Sequence, residues 1–206
     1  MHLLTLIFGT VLLSEAYSLI CYKCLPGSTA TCEFKTCPSV GYQCSVLRIT
    51  SYAGGSKLSD IQMKTCVLNE DCAEGSVNFG LTRNVITSKC CNSNLCNTET
   101  APEPSESEPN GKKCFHCNGN VCTTTVNCLG NEDHCISKTV NVGGETIITK
   151  GSASKQICSN TKNALFKGVI GGDISCCKGD YCNSASSISA GLLLLVTPLI
   201  SLVMFS

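Results

Sequence analysis

Apolar residues gather at the two ends of the chain, and between them they alternate with polar ones. Leu3 to Leu13 is an apolar run, followed by the polar Ser14 and Glu15. Ala16 and Ser18 then supply small residues at the −3 and −1 positions of a cleavage site, so residues 1–18 read as a secretory signal. An uncleaved anchor is the other assignment, but the apolar run is short for crossing a bilayer. Ile188 to Ser206 is apolar and uncharged, contains Pro198, and is followed by no Lys or Arg. A retained transmembrane helix usually carries basic residues on its cytoplasmic side. A removed glycosylphosphatidylinositol signal needs none, and it follows small residues such as Asn183, Ser184 and Ala185. Residues 184–206 therefore read as a C-terminal propeptide, with lipid attached at Asn183 or Ser184.

Between the ends the pattern is that of strands. Cys44 to Cys66 holds two β-capable arms around Gly54-Gly55, and Cys135 to Cys158 holds two more around Gly143-Gly144. A two-residue glycine turn between such arms predicts a hairpin. No segment of this region shows convincing helical periodicity. The expected class is all-β.

Composition changes the picture of what stabilises those strands. There is no Trp, aromatics are few, and 19 of the 206 residues are Cys. A disulfide scaffold in an oxidising compartment is implied. Lys+Arg and Asp+Glu both number 15, which removes any electrostatic case for nucleic acid. The cysteines repeat. Both halves open with C-x2-C (CYKC, CFHC), and both close with an adjacent pair and then Cys-Asn (CCNSNLCN, CCKGDYCN). Two copies of one module are implied, at 19–97 and 112–183. Residues 98–111, rich in Pro, Glu and Ser, read as an extended acidic linker that leaves the modules to fold independently and to grip one partner bivalently.

Each half resembles the three-finger domain of the lymphocyte-antigen-6 and urokinase-receptor family. The leading LICYKC, the cysteine order and the CC-x4-CN ending carry the likeness. The tandem arrangement, with NCLGNEDHC and KGSASKQIC, looks most like urokinase-receptor-like proteins and gamma-type phospholipase A2 inhibitors. The resemblance implies two small disulfide-rich three-finger domains. In the first it implies Cys21–Cys44, Cys24–Cys32, Cys37–Cys66, Cys72–Cys90 and Cys91–Cys96. In the second it implies Cys114–Cys135, Cys117–Cys122, Cys158–Cys176 and Cys177–Cys182. It also gives Asn97 and Asn183 a structural role.

The second module is one cysteine short. Cys72 and Cys90 are 18 apart, as are Cys158 and Cys176, and Cys66 lies six before Cys72. Six before Cys158 is Ser152, which places serine at the sixth position and leaves Cys128 unpaired. A rival alignment makes Cys158 the sixth cysteine and Cys176 the orphan. An odd thiol in an exported protein suggests a disulfide dimer through Cys128.

No metal or cofactor is expected, since each CxxC has a disulfide role. No catalytic constellation accompanies His116 and His134, which are expected in exposed loops, so an enzyme is not predicted. The expected function is a lipid-anchored receptor, co-receptor or adhesion module on the extracellular face of the plasma membrane, with finger loops binding an extracellular protein. The alternative is a secreted inhibitor of an extracellular enzyme such as phospholipase A2, for which the apolar tail has no use. If the tail is an anchor signal, replacing Leu193, Leu194 and Leu195 with Asp should end surface display and divert the protein to secretion or retention. Flow cytometry of intact cells, read against the culture medium, checks this.

Overall fold

A computed structural model describes residues 18–26, 32–72, 74–160 and 164–184. The signal and propeptide segments lie outside the described residues, apart from Ser18 and Ser184 at their borders. Chain order gives β1 (Ile20–Lys23), β2 (Glu33–Thr36), β3 (Tyr42–Ala53), β4 (Ser56–Leu68), β5 (Gly75–Asn78) and β6 (Thr82–Cys91) in the first module. The second holds β7 (Pro109–Asn118), β8 (Val121–Leu129), β9 (Glu132–Val142), β10 (Glu145–Ser154), α1 (Lys155–Ser159), α2 (Ala164–Ile170) and β11 (Asp173–Lys178). The β3–β4 and β9–β10 hairpins turn on Gly54-Gly55 and Gly143-Gly144, all four at positive φ. Two successive left-handed residues are what a two-residue turn between twisted strands requires.

Disulfides gather the base of each module. The bonds are Cys21–Cys44, Cys24–Cys32, Cys37–Cys66, Cys72–Cys90, Cys91–Cys96, Cys114–Cys135, Cys117–Cys122, Cys158–Cys176 and Cys177–Cys182. Closing a loop of ~20 residues contributes roughly 3 kcal/mol, which offsets the small apolar core. Asn97 clamps the first base: its Oδ1 accepts from Tyr22 N at 3.0 Å, and its Nδ2 donates to Tyr22 O and Ser45 O. Asn183 repeats this on Phe115 N and O, Ile136 O and Gly151 O.

Instead of two independent units on a loose tether, the modules share one sheet. Seven antiparallel strands run in the order β11-β9-β10-β5-β6-β3-β4, and β10 of the second module pairs with β5 of the first. Ser152 lies opposite Asn78, and Ala153 opposite Val77. The strands approach so closely that a Cβ on Gly151 would meet Asn78 O at 2.0 Å. On one face a joint core forms from Val77, Phe79 and Ile86 of the first module and Ile136, Ala153, Ile157, Phe166 and Ile170 of the second. Ile157 belongs to α1, and Phe166 and Ile170 to α2. These helices are five and seven residues long, too short to be stable alone, so no periodicity announced them. Packing on the joint core holds them instead.

The acidic segment is bound to the opposite face. Arg48, 8% exposed, donates from Nε to Asp60 at 2.7 Å and from Nη2 to Glu103 at 2.5 Å. Thr87 Oγ1 donates to Pro102 O, Ala101 is buried, and Lys89 pairs with Glu99. The chain then enters β7 at Pro109, within the expected linker. A composition without branched aliphatic or aromatic residues gives no hint of this, because the segment is held mainly by ion pairs and backbone acceptors.

His116 and His134 lie on strands. His116 in β7 packs against Gly80 of the first module, where a Cβ would meet its Nδ1 at 2.6 Å. His134 in β9 contacts Asp133 at 2.7 Å and is part-buried. Neither is an exposed loop residue, because β7 and β9 extend to the turns on which the spacing placed them.

Gly151→Val should force β10 away from β5 and destabilise the protein by roughly 2–4 kcal/mol. Hydrogen exchange at Val77 and Asn78 should accelerate, while the amides of β3 and β4 stay protected. The hydrogen bond from Arg48, aided by Lys57, holds the Asp60 carboxyl well below the usual carboxylate range. Its contribution is therefore complete above about pH 4 and fades as pH falls toward the depressed value. Asp60→Asn should remove that acid-side loss, measured as a flatter dependence of Tm on pH below about 4.

Candidate functional site

Hairpins fixed at one end present their other end to solvent. The first module exposes Phe34 on its first finger (β1–β2), Leu58 on its middle finger (β3–β4) and Leu81 at the tip of its third (β5–β6). The second exposes Val121 on β8, Val142 on β9, and Ile147 and Ile148 on β10. None of these side chains serves the joint core. Ile147 and Ile148 are about half exposed at consecutive positions of one strand, so both faces of the middle finger are apolar near its tip.

Two grooves run beside these fingers. The larger, about 1130 Å³, lies on the second module between the first finger at Asn120 and Cys122, the middle finger at Thr146 to Ile148, and β11 at Asp173 to Ser175. Glu145, Lys150 and Asp173 bring charge of both signs to it. It reaches Asn183 and Ser184 at the base. The smaller, about 680 Å³, lies on the first module between Leu25 and Pro26, the Ile49 and Met63 face of the β3–β4 hairpin, and Val169 of α2. Its wall is mainly apolar, and Gly168 and Val169 of α2 bring the second module to one side of it. Both grooves offer apolar contact and hydrogen bonds to a ligand laid along the strands.

The fingers hold a fixed relation because of a polar junction that sequence reasoning missed. Glu132, at the start of β9, is completely buried. Its Oε1 accepts from Ser76 Oγ and Arg83 Nε of the first module, each at 3.0 Å. Its Oε2 accepts from Ser152 Oγ at 2.7 Å and Leu129 N at 3.0 Å. Removing one partner of a buried pair costs roughly 3–5 kcal/mol, because the other charge is left buried. Lys138 adds a second tie, donating to Ile170 O at 2.9 Å and lying 5.3 Å from the Phe79 ring centroid. A lone Glu between Asn131 and Asp133 carries no sequence signal of burial. Only the docking of the modules supplies one.

Ser152, at the position of the missing cysteine, thus gives its hydroxyl to this junction. Cys128 has no partner cysteine and is 1% exposed, beneath Cys114 and Cys135. Burial pushes its thiol above the ordinary value. The expected covalent dimer is therefore set aside: a second chain cannot reach this sulfur without opening the module.

Residues 17–99 match the family model described as "u-PAR/Ly-6 domain", and residues 113–183 match "Snake toxin and toxin-like protein". The chain is similar to the urokinase plasminogen activator surface receptors of Rattus norvegicus, 29% identical over 50% of this chain and 34% of the relative, and of Mus musculus, 31% over 47% and 32%. It thus spans about a third of the length of these curated relatives. Among solved structures, mouse TEX101 aligns over 81% of this chain and 98% of its own, with 15% identity and a TM-score of 0.27. Two modules of one cysteine pattern, each matching a three-finger description, place the chain in the Ly-6/uPAR family as a member with two tandem three-finger domains.

Proposed function

We propose that the protein is a non-enzymatic binding protein of the cell surface, lipid-anchored at its C-terminus, whose fingers engage an extracellular protein. The observation that carries this is the exposed apolar set on the fingers, above all Ile147 and Ile148 beside the groove of the second module. Isolated exposed apolar residues are ordinary, but a cluster bordering a groove marks an interaction surface. Binding would draw on both modules as one rigid body, since the shared sheet and Glu132 fix their relation. Entropy lost on docking is smaller for a preorganised surface than for two modules on a tether.

The likeness to urokinase receptors supports a receptor-type role. The apolar, uncharged tail supports the anchor, and no helix among the described residues is long and apolar enough to cross a membrane. Of the two candidate attachment residues we favour Ser184, which is exposed, over Asn183, which is buried by its clamp.

Phosphatidylinositol-specific phospholipase should release the protein from intact expressing cells. Released protein carrying Ile147→Asp and Ile148→Asp should keep its Tm within about 1 °C, because both sites are exposed surface. It should bind its cell-surface or secreted ligand at least about tenfold more weakly, the loss of roughly 1.4 kcal/mol at an apolar hot spot. Unchanged binding would remove the middle finger of the second module from the binding face.

A further inference from the structure

The three-finger base brings particular sulfurs together whatever their bonding. In the first module Cys21 Sγ lies 3.3 Å from Cys37 Sγ, although each is bonded elsewhere, to Cys44 and Cys66. In the second module the corresponding contact is Cys114 Sγ to Cys128 Sγ, 3.6 Å. Cys114 is bonded to Cys135, and Cys128 is free. The same packing that sets two disulfides side by side in the first module therefore sets a thiol against a disulfide in the second. These are the reactants of thiol–disulfide exchange, already in contact.

The thiol also has a route for its proton. Ser152, in the place of the lost cysteine, lies close enough to Cys128 to favour its thiolate, and its hydroxyl donates to the buried carboxylate of Glu132 at 2.7 Å. Burial alone would leave Cys128 an inert thiol. A hydroxyl and a carboxylate in sequence behind it provide a base.

We propose that the second module contains an internal disulfide switch in which Cys128 displaces Cys135 from Cys114. Cys128 gives its proton through Ser152 to Glu132, and its thiolate attacks Cys114 Sγ. The Cys114–Cys128 bond forms, the Cys114–Cys135 bond breaks, and Cys135 leaves as a thiolate that takes up the proton. One disulfide and one thiol enter and one of each remain, so no oxidant or reductant is consumed. All three sulfurs are about 1% exposed, which confines the exchange to one chain and shields it from outside thiols.

The two bonds constrain different parts of the module. Cys114–Cys135 ties β7 of the first finger to β9 of the central sheet. Cys114–Cys128 joins β7 to β8 within the first finger, and frees that hairpin from the sheet it covers. The groove of the second module has Asn120 and Cys122 of that hairpin on one side and Ser137 and Thr139 of β9 on the other. Exchange would therefore alter the width of this groove while the rest of the sheet persists, whether or not the groove is the binding face.

The test uses the mature protein collected from the surface or the medium of expressing cells, isolated at acid pH and shifted to neutral pH for increasing times. Samples are quenched in acid, unfolded at that pH, and labelled with N-ethylmaleimide, and the linked peptides are mapped by mass spectrometry. Two species are expected: label on Cys128 with Cys114–Cys135 intact, and label on Cys135 with Cys114–Cys128 formed. Cys128→Ser should give neither label and only the Cys114–Cys135 bond. Ser152→Ala should slow the interconversion by about a hundredfold, the lower range for loss of a positioned proton acceptor. Label confined to Cys128 at all times, in protein whose near-ultraviolet circular dichroism is native, overturns the switch. Equal rates in wild-type and Ser152→Ala protein overturn the relay.

Discussion

Two pairs of residues, Asn78 with Ser152 and Val77 with Ala153, join β5 to β10, and the rest of the molecule is arranged around that junction. Backbone groups buried at the boundary between modules need partners, and each module supplies them to the other. Gly151 permits the approach because it has no Cβ to strike Asn78 O. Once the strands meet, Val77, Phe79 and Ile86 gain a second apolar layer, and α1 and α2 gain a surface to fold upon. Each module brings one buried phenylalanine to this core, Phe79 from the first and Phe166 from the second.

The polar side of the junction follows from the same contact. Glu132 would be a costly burial in a lone second module, where Ser76 and Arg83 would be absent. In the docked pair its carboxylate accepts four hydrogen bonds, two from each module. Ser152 is one of the donors, so the vacancy in the cysteine pattern has a positive role. A disulfide at that position would take the side chain away from Glu132 and toward Cys128. The module has one staple fewer and one hydrogen bond more to the carboxylate that joins it to its neighbour.

This geometry gives the fingers their meaning as a surface. Disulfides and the Asn97 and Asn183 clamps hold the bases, and the shared sheet fixes one base against the other. What remains free is the far end of each hairpin, where Leu58, Leu81, Val142, Ile147 and Ile148 are exposed. The acidic segment, bound by Arg48 and Thr87, lies on the sheet face as part of the same body.

The sequence by itself determined the local and covalent features. Alternation and Gly-Gly turns specified the long hairpins, because register and turn geometry depend on neighbouring residues alone. Repetition of the cysteines specified two modules, and their likeness to a known domain supplied a pairing scheme that spacing could not. Tertiary structure decided everything that depends on which surfaces meet. The burial of Glu132, the need for glycine at 151, the helicity of two short segments, the seating of the acidic segment and the contact of Cys128 with Cys114 all arise from residues distant in sequence. The first three are stabilised only after the modules dock, and the last two form within a module between residues that its fold brings together, so no local pattern of hydrophobicity, charge or propensity could encode them.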